Sequence, residues 1–301
     1  MLEVPLCSSK KENDLYMYDY HIHMDFTSGD TPQEFLRKTA EAGVTGGAII
    51  SPHPLGYVRE EGTDQRWENL LAMVLQFTSE TPTFLPVFWI DPTDADISRQ
   101  IEVATEHGVS GFKIICNHFY PKDILKPMAQ IAETGLPVNF HCGILYSTHP
   151  AAEFNRPAAF ECLMEVKGLR FSLAHAGWPW TDEFNSIIGE FFWGCNNVDV
   201  YVDLTPGTPL VYRREVLRRL YLCGFQQLKT HILWGTDKYS NHYNTGFAAN
   251  LIRVDREILN GIIRDADMYR VPTYPANDFH DIEELLFRKN METFFQLPEK
   301  G

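Results

Sequence analysis

The run "YDYHIHMDF" (Tyr18 to Phe26) sets two imidazoles one residue apart in a β-rich stretch. Alternate side chains of a strand share a face, so His21 and His23 point together and Ile22 points away. Two adjacent imidazoles fill a core poorly and hold a metal well, because neutral imidazole is a favoured ligand of zinc and its neighbours. Two further histidines close β-like runs, His141 in "LPVNFHCG" and His175 in "LRFSLAHAG", and an acid, Asp237, closes "THILWGTD". His21, His23 and His141 could give three nitrogens and Asp237 one oxygen to a divalent ion, with a water completing the shell as nucleophile. Asp237 would then accept the water's proton, and His175 would steady the developing oxyanion or act as the acid. Each piece has a plainer reading. His141 or His175 could be a hydrogen-bonded core histidine, and Asp237 a loop or capping residue. Their agreement in position favours the metal.

The elements that must position these residues alternate along the chain. Strand candidates fall at Tyr16–Phe26, "TGGAIISP", "TFLPVFWIDP", "SGFKIICN", "LPVNFHCG", "LRFSLAHAG", "VYVDLTPG" and "THILWGTDKY". Each precedes a helix candidate, from "TPQEFLRKTAEAG" to "FAANLIRVDREILNGII". The first helix has a Thr31 cap, Pro32 in its first turn and Gly43 at its close. Pro127 predicts a kink or late start in the fourth. Strands apolar on both faces suit a parallel sheet covered by helices. Eight such units in 301 residues predict an α/β fold, a (β/α)8 TIM barrel, as one domain over residues 1–301. A doubly wound sheet would carry a glycine-rich phosphate loop after its first strand, where this chain has His-x-His and an acid. Barrel chemistry collects at the C-terminal strand ends. Those ends also offer Asp25, Ser51, His53, Asp91, Lys113, Asn117, His118 and Asp203.

Bulk properties narrow the function. Hydrophobic content of 44% and charged content of 22% suit a full core, and the formal net charge of −14 argues against nucleic-acid or anionic-membrane partners. That acidity also has a simple solubility reading. None of the six cysteines forms a C-x-x-C pair, which suits reduced thiols and a cytoplasmic location. The N-terminus shows no apolar signal region, and no apolar stretch is long enough to span a bilayer.

The motifs "DYHIHMD", "GFKII", "GLPVNFHCG", "FSLAHAGWP" and "ILWGTD", in this order from Tyr18 to Tyr239, resemble the amidohydrolase superfamily. Within it they are similar to the amidohydrolase-2 branch, which also holds aminocarboxymuconate-semialdehyde-decarboxylase-like enzymes. The closing "IEELLFRKNMETFF" resembles that branch's terminal helix. The resemblance implies a (β/α)8 barrel and one divalent metal, most often zinc, with Mn2+ or a binuclear site as alternatives. It implies His21, His23, His141 and Asp237 as the metal shell and His175 beside it as a catalytic or orienting residue. Lys113 matches a strand-4 lysine that is carboxylated and bridges two metals in some members; an unmodified lysine binding a substrate carboxylate is the reading preferred here.

The branch catalyses both hydrolysis and non-oxidative decarboxylation with nearly the same residues. Hydrolysis of a lactone, amide or similar bond of a small organic acid is the broader chemistry and the leading expectation. Decarboxylation of an aromatic or unsaturated acid is the alternative. Lys113, His118, Trp178 and Arg59 are the expected substrate-binding residues, and Arg213 is a further cation for a carboxylate. Phe119, Tyr120, Trp180, Tyr239 and Tyr243 could line the mouth or simply pack helices. The expected partner is a small carboxylate or cyclic compound, and a homodimer is the default assembly. Two further readings stand behind these. One is a metal-dependent phosphoesterase of the polymerase-and-histidinol-phosphatase type, with His53 as a ligand. The other is a lactonase that works without metal. Related deoxyribonucleases share His-x-His but expect a glutamate at strand 4, where this chain has Lys113.

Overall fold

The structure is a computed structural model and describes residues 16–147, 149–194, 197–207, 209–222, 226–269 and 279–298. Cys7, Cys195, Cys223 and the N-terminal stretch read for a targeting signal lie outside them. Nine strands make one parallel sheet: β1 (Met17–His23), β2 (Val44–Ile50), β3 (Phe84–Trp89), β4 (Gly111–Ile114), β5 (Val138–Phe140), β6 (Arg170–Leu173), β7 (Asp199–Asp203), β8 (Ile232–Leu233) and β9 (Lys238–Tyr239). From β1 to β8 each strand pairs in parallel with the next in sequence, and β9 pairs with β1. Parallel neighbours need a crossover, and helices supply most of these: α1 (Pro32–Glu41), α2 (Trp67–Ser79), α3 (Ile97–Glu106), α4 (Leu125–Thr134), α5 (Thr181–Gly194) and α6 (Leu210–Leu222), with α7 (Thr245–Met268) following β9. Both sheet faces are covered, which is why β4 and β5 are buried at every residue.

Local chemistry explains the boundaries. Thr31 caps α1 in a reciprocal capping box with Glu34. α4 starts late, at Leu125, which leaves Pro127 in the first turn where its missing N–H costs nothing. The crossover after β5 departs from the expected α-helix. "RPAAFECLMEVKG" forms a 3-10 helix over Pro157–Glu165. Its buried residues Pro157, Phe160 and Leu163 fall at every third position, the spacing that a threefold helix lines up on one face.

The segment after β8 pairs with β1. The Tyr20 N–H donates to Trp234 O at 2.9 Å and the Asp237 N–H to His21 O at 3.0 Å, while Ile22 registers with Lys238. The buried Asp19 carboxylate clamps this turn, accepting from Thr236 N–H (2.9 Å), Thr236 O–H (2.6 Å) and Tyr243 O–H (3.0 Å). The chain ends in α8 (Phe279–Glu284), a π-helical turn over Leu285–Lys289 and α9 (Asn290–Phe294). Asn290, from the family-like "KNME", donates to Lys229 O and Ile232 O, both at 2.8 Å, and docks this segment under β8. Phe294 then packs edge-on against Tyr20 and Tyr201 at the N-terminal end of the strands. No helix among the described residues is long and apolar enough to cross a membrane.

Candidate active site

At the C-terminal strand ends, β1 presents His21 and His23 to Asp237. The two Nε2 atoms stand 3.0 Å apart, and Asp237 Oδ1 lies 3.7 Å from the first and 3.4 Å from the second. These three side chains form a group whose donor atoms all lie within 4.8 Å of one another. Asp237 sits in the left-handed backbone region at φ 55°, a conformation that a non-glycine residue adopts at a cost. The bonds on Asp19 and His21 O that hold the Thr236–Asp237 turn keep it there.

His21 is oriented from behind. Its Nδ1–H donates to Asp203 Oδ2 at 2.6 Å, with both side chains buried. Burial works against the Asp203 carboxylate, yet His21, His175 and Lys113 hold it well below the usual carboxylate range. Burial, helped by Lys113, pulls the His21 imidazole down to about 4. At neutral pH the pair is therefore carboxylate and neutral imidazole. With the Nδ1 proton given to Asp203, the His21 Nε2 carries a bare lone pair facing His23 and Asp237. Burial also opposes ionisation of Asp237, and His23, His175 and His21 outweigh it, so that carboxyl stays ionised. Two imidazole nitrogens and a carboxylate oxygen converging in this way are the donor set that a divalent zinc-like ion takes.

His175 follows β6 at φ 60° and is turned by Thr205, whose hydroxyl lies 2.9 Å from its Nδ1. Its ring lies 6.0 Å from His21 and 4.8 Å from His141, between centroids. Gly207 makes this possible, since a Cβ there would stand 2.6 Å from His175 Cβ and Cγ. His141 lines the same cavity but stays outside the tight three-residue group, with its Nε2 3.3 Å from Ile144 O. The strand-5 exit doubles back to hold that carbonyl, through Gly143 N–H on Asn155 O (2.8 Å) and Ile144 N–H on Trp178 O (2.6 Å). Burial, with His175 and Lys113 adding to it, lowers the His141 pKa well below the usual imidazole value, and burial lowers that of His175. Both rings are neutral nitrogen donors at neutral pH.

Lys113 is buried below this layer and donates to Asn139 Oδ1. Asn139 in turn donates to Tyr20 OH (3.0 Å), Ser172 Oγ (2.9 Å) and Asp203 Oδ2 (2.9 Å). Burial pulls the Lys113 ammonium down to about 8, against the opposing charges of Asp203 and Asp237. A polar network thus runs from Lys113 to His21 inside an apolar shell, with its members holding one another in place.

The group opens into a cavity of about 600 Å³. Among the expected substrate-binding residues, Lys113 and Trp178 line it, and Trp178 stacks on Tyr212 with centroids 5.0 Å apart. Arg59 is exposed and His118 faces Asp91 and Thr93, both outside the lining. Arg213 is corrected outright. Its guanidinium is fully buried and bidentate on Asp255 (2.6 and 2.7 Å), where Trp234 Nε1–H also donates, so it anchors α6 to α7 and meets no substrate. Tyr243 is likewise buried on Asp19 and Phe119 lies in the core, while Tyr120 packs on Phe154 and Trp180 lies under Arg156. Tyr239 does line the mouth. Sequence reasoning missed the Asp203 contact, although its strand-end position was a usable signal. It also missed Trp89, which lines the wall beside Tyr57 and Glu60.

These features can be set beside known proteins. The amidohydrolase-2 family model, described as amidohydrolase, matches residues 18–284, and the chain belongs to that family. It is therefore an enzyme of a metal-dependent superfamily that acts on small molecules. The comparison with curated proteins finds no match. Among solved structures, a probable 2-pyrone-4,6-dicarboxylic acid hydrolase from Acinetobacter baumannii, with citric acid bound, has a TM-score of 0.60 at 14% identity, covering 93% of this chain and 99% of that one. An amidohydrolase from Burkholderia multivorans with bound HEPES has a TM-score of 0.62 at 11% identity, covering 94% and 100%. A dihydroorotase from Campylobacter jejuni has a TM-score of 0.58 at 14% identity, covering 95% and 85%. At these identities the likeness is one of fold.

Proposed function

We propose that this chain hydrolyses a lactone, amide or similar bond in a small organic acid, at a divalent-metal site on a closed (β/α)8 barrel. The observation that carries the proposal is the His21–His23–Asp237 group, with the His21 tautomer fixed by Asp203, at the floor of a cavity of about 600 Å³. Barrel closure is supported by the 232–239 segment, which pairs with β7 through Ile232–Leu233 and with β1 through Lys238–Tyr239. His21, His23 and Asp237 would hold the ion, with His141 as a fourth donor once released from Ile144 O. A bound zinc ion supplies a Lewis acid that polarises the scissile carbonyl and makes water nucleophilic near neutral pH.

The chain's own residues do the rest. Asp237, kept ionised by its imidazole neighbours, orients the attacking water and accepts its proton. His175, set by Thr205, faces the reacting carbonyl as orienting residue, and it serves as proton donor to the leaving group once it has received the water's proton from Asp237. Lys113 holds the substrate carboxylate as an unmodified ammonium, consistent with its donation to the Asn139 amide oxygen. The pyrone named for the Acinetobacter neighbour is itself a lactone acid, which agrees with this chemistry. The phosphoesterase reading needs His53 as a ligand, and His53 is bound instead to Glu60 and Gln65, away from the metal group. The test is turnover of a lactone and amide panel by the zinc-loaded chain and by Asp237→Asn. Hydrolysis lost in the variant supports the assignment. Hydrolysis retained there, or carbon dioxide release in place of hydrolysis, overturns it.

A further inference from the structure

Beyond Trp89, one wall of the cavity is built by His53, Tyr57 and Glu60, from the segment after β2. Gln65 staples this segment. Its Oε1 accepts the Glu60 N–H at 2.8 Å and its Nε2 donates to Val58 O at 2.8 Å, which fixes the orientation of the amide. The same NH2 group lies 3.2 Å from His53 Nδ1, so that nitrogen is the acceptor and the His53 proton sits on Nε2. The Nε2–H faces Glu60 Oε2 at 3.4 Å. His53 is itself wedged between aromatic rings, 5.9 Å from Trp89 and 5.6 Å from Tyr57, between centroids. Trp89 lies 5.5 Å from His23, so one aromatic platform runs from the metal group to the His53–Glu60 pair.

The charges along the cavity are unequal. Among the described lining residues Lys113 carries the only fixed positive charge, against the carboxylates of Asp25, Glu60 and Asp237. A divalent ion would cancel that excess, which leaves room for one substrate carboxylate at Lys113 and nothing cationic for a second. The outer wall offers a carboxylate acceptor instead.

We propose that Glu60, aligned by His53 and Gln65, forms a second subsite that accepts a hydrogen bond from a donor group, a hydroxyl or an ammonium, at the end of the substrate away from the metal. The substrate is then a flat monocarboxylate with a distal donor, laid along Tyr57 and Trp89, and not a diacid. This rests on the Lys113 anchoring proposed above and deepens it. Glu60 acts as a specificity residue and His53 as a positioning residue.

The test is calorimetric binding to the zinc-treated protein, without turnover, of three probes: benzoate, 4-(aminomethyl)benzoate and terephthalate. The expected order of affinity places the amine about tenfold above benzoate and terephthalate about tenfold below it, the size of one charge-assisted contact at a half-exposed site. Glu60→Gln should erase both differences, and Glu60→Lys should invert them in favour of terephthalate. Metal content should stay unchanged in both. Equal binding of the three acids by the wild type, preference for terephthalate, binding of none, or a ranking unmoved in Glu60→Gln would each overturn the proposal. Because no turnover is read, failure of the hydrolytic assignment leaves this result standing, and failure of the Lys113 anchoring shows separately as benzoate binding unchanged in Lys113→Met.

Discussion

Replacing Asp203 with Asn tests the part of the site that holds the metal ligand and not the metal. Asp203 Oδ1 accepts the Thr205 N–H at 2.8 Å, while Oδ2 accepts from His21 Nδ1 at 2.6 Å and from Asn139 Nδ2 at 2.9 Å. Asparagine has one acceptor oxygen. If that oxygen stays on Thr205, its NH2 faces His21 and drives the imidazole into the other tautomer, with a proton on the Nε2 that should bind metal. If it turns to His21, its NH2 meets the Thr205 N–H. Either way a buried donor faces a donor, at about 1–3 kcal/mol. The negative charge that raises the basicity of His21 is lost as well. Outer partners of this kind are worth about 10–100-fold in metal affinity, or about 1.4–2.7 kcal/mol. Zinc competition against a chromophoric chelator reads this directly. The expected result is affinity down by that factor in Asp203→Asn, with Tyr20→Phe as a control. The control removes a hydroxyl from Ser172 and Asn139 and leaves the His21 bond intact, so it should keep wild-type affinity. Asp203→Asn within about twofold of wild type would refute the reasoning, since the tautomer would then owe nothing to Asp203.

Two further outcomes follow from the same geometry. Burial lowers Lys113 to about 8, so its charge is present below that pH and lost above it. KM for a carboxylate substrate should therefore rise above pH 8, and in Lys113→Met it should be raised by about tenfold and flat with pH; a flat wild-type profile between about pH 7 and 9.5 would contradict the assignment. Gly207→Ala places a methyl 2.6 Å from His175 and must displace that ring. kcat should fall by about tenfold or more with metal content unchanged, and full activity would show that the position of His175 is not needed.

Much of this molecule was legible in its sequence, for identifiable reasons. The period of two put His21 and His23 on one face, and their Nε2 atoms do meet. The apolar strand runs and the Thr31, Pro32 and Gly43 signals located the βα units, because these are local preferences that each segment expresses alone. What the sequence left hidden needed pairing across distance. Arg213 has the right chemistry for a substrate carboxylate, and only the fold brings Asp255, 42 residues away, to claim it. Arg59 and Glu60 are adjacent, and the Gln65 staple turns the acid, not the base, toward the cavity. The strand-8 run reads as one strand, yet it leaves the regular ladder at Trp234 so that Thr236 can reach Asp19 and Asp237 can turn inward. His141 reads as a ligand beside the others, and the fold of the strand-5 exit sets its Nε2 on Ile144 O.

The central claim is that His21, His23 and Asp237 hold a divalent ion, and the most direct measurement is metal content per chain by plasma mass spectrometry. It should be made on protein purified without chelator or added metal, with His21→Ala and Asp237→Ala beside it. The account predicts about one zinc-like ion per wild-type chain and loss of that ion in both folded variants. A wild-type chain that carries no ion and takes up none on dialysis against zinc would contradict it, as would variants that keep their metal.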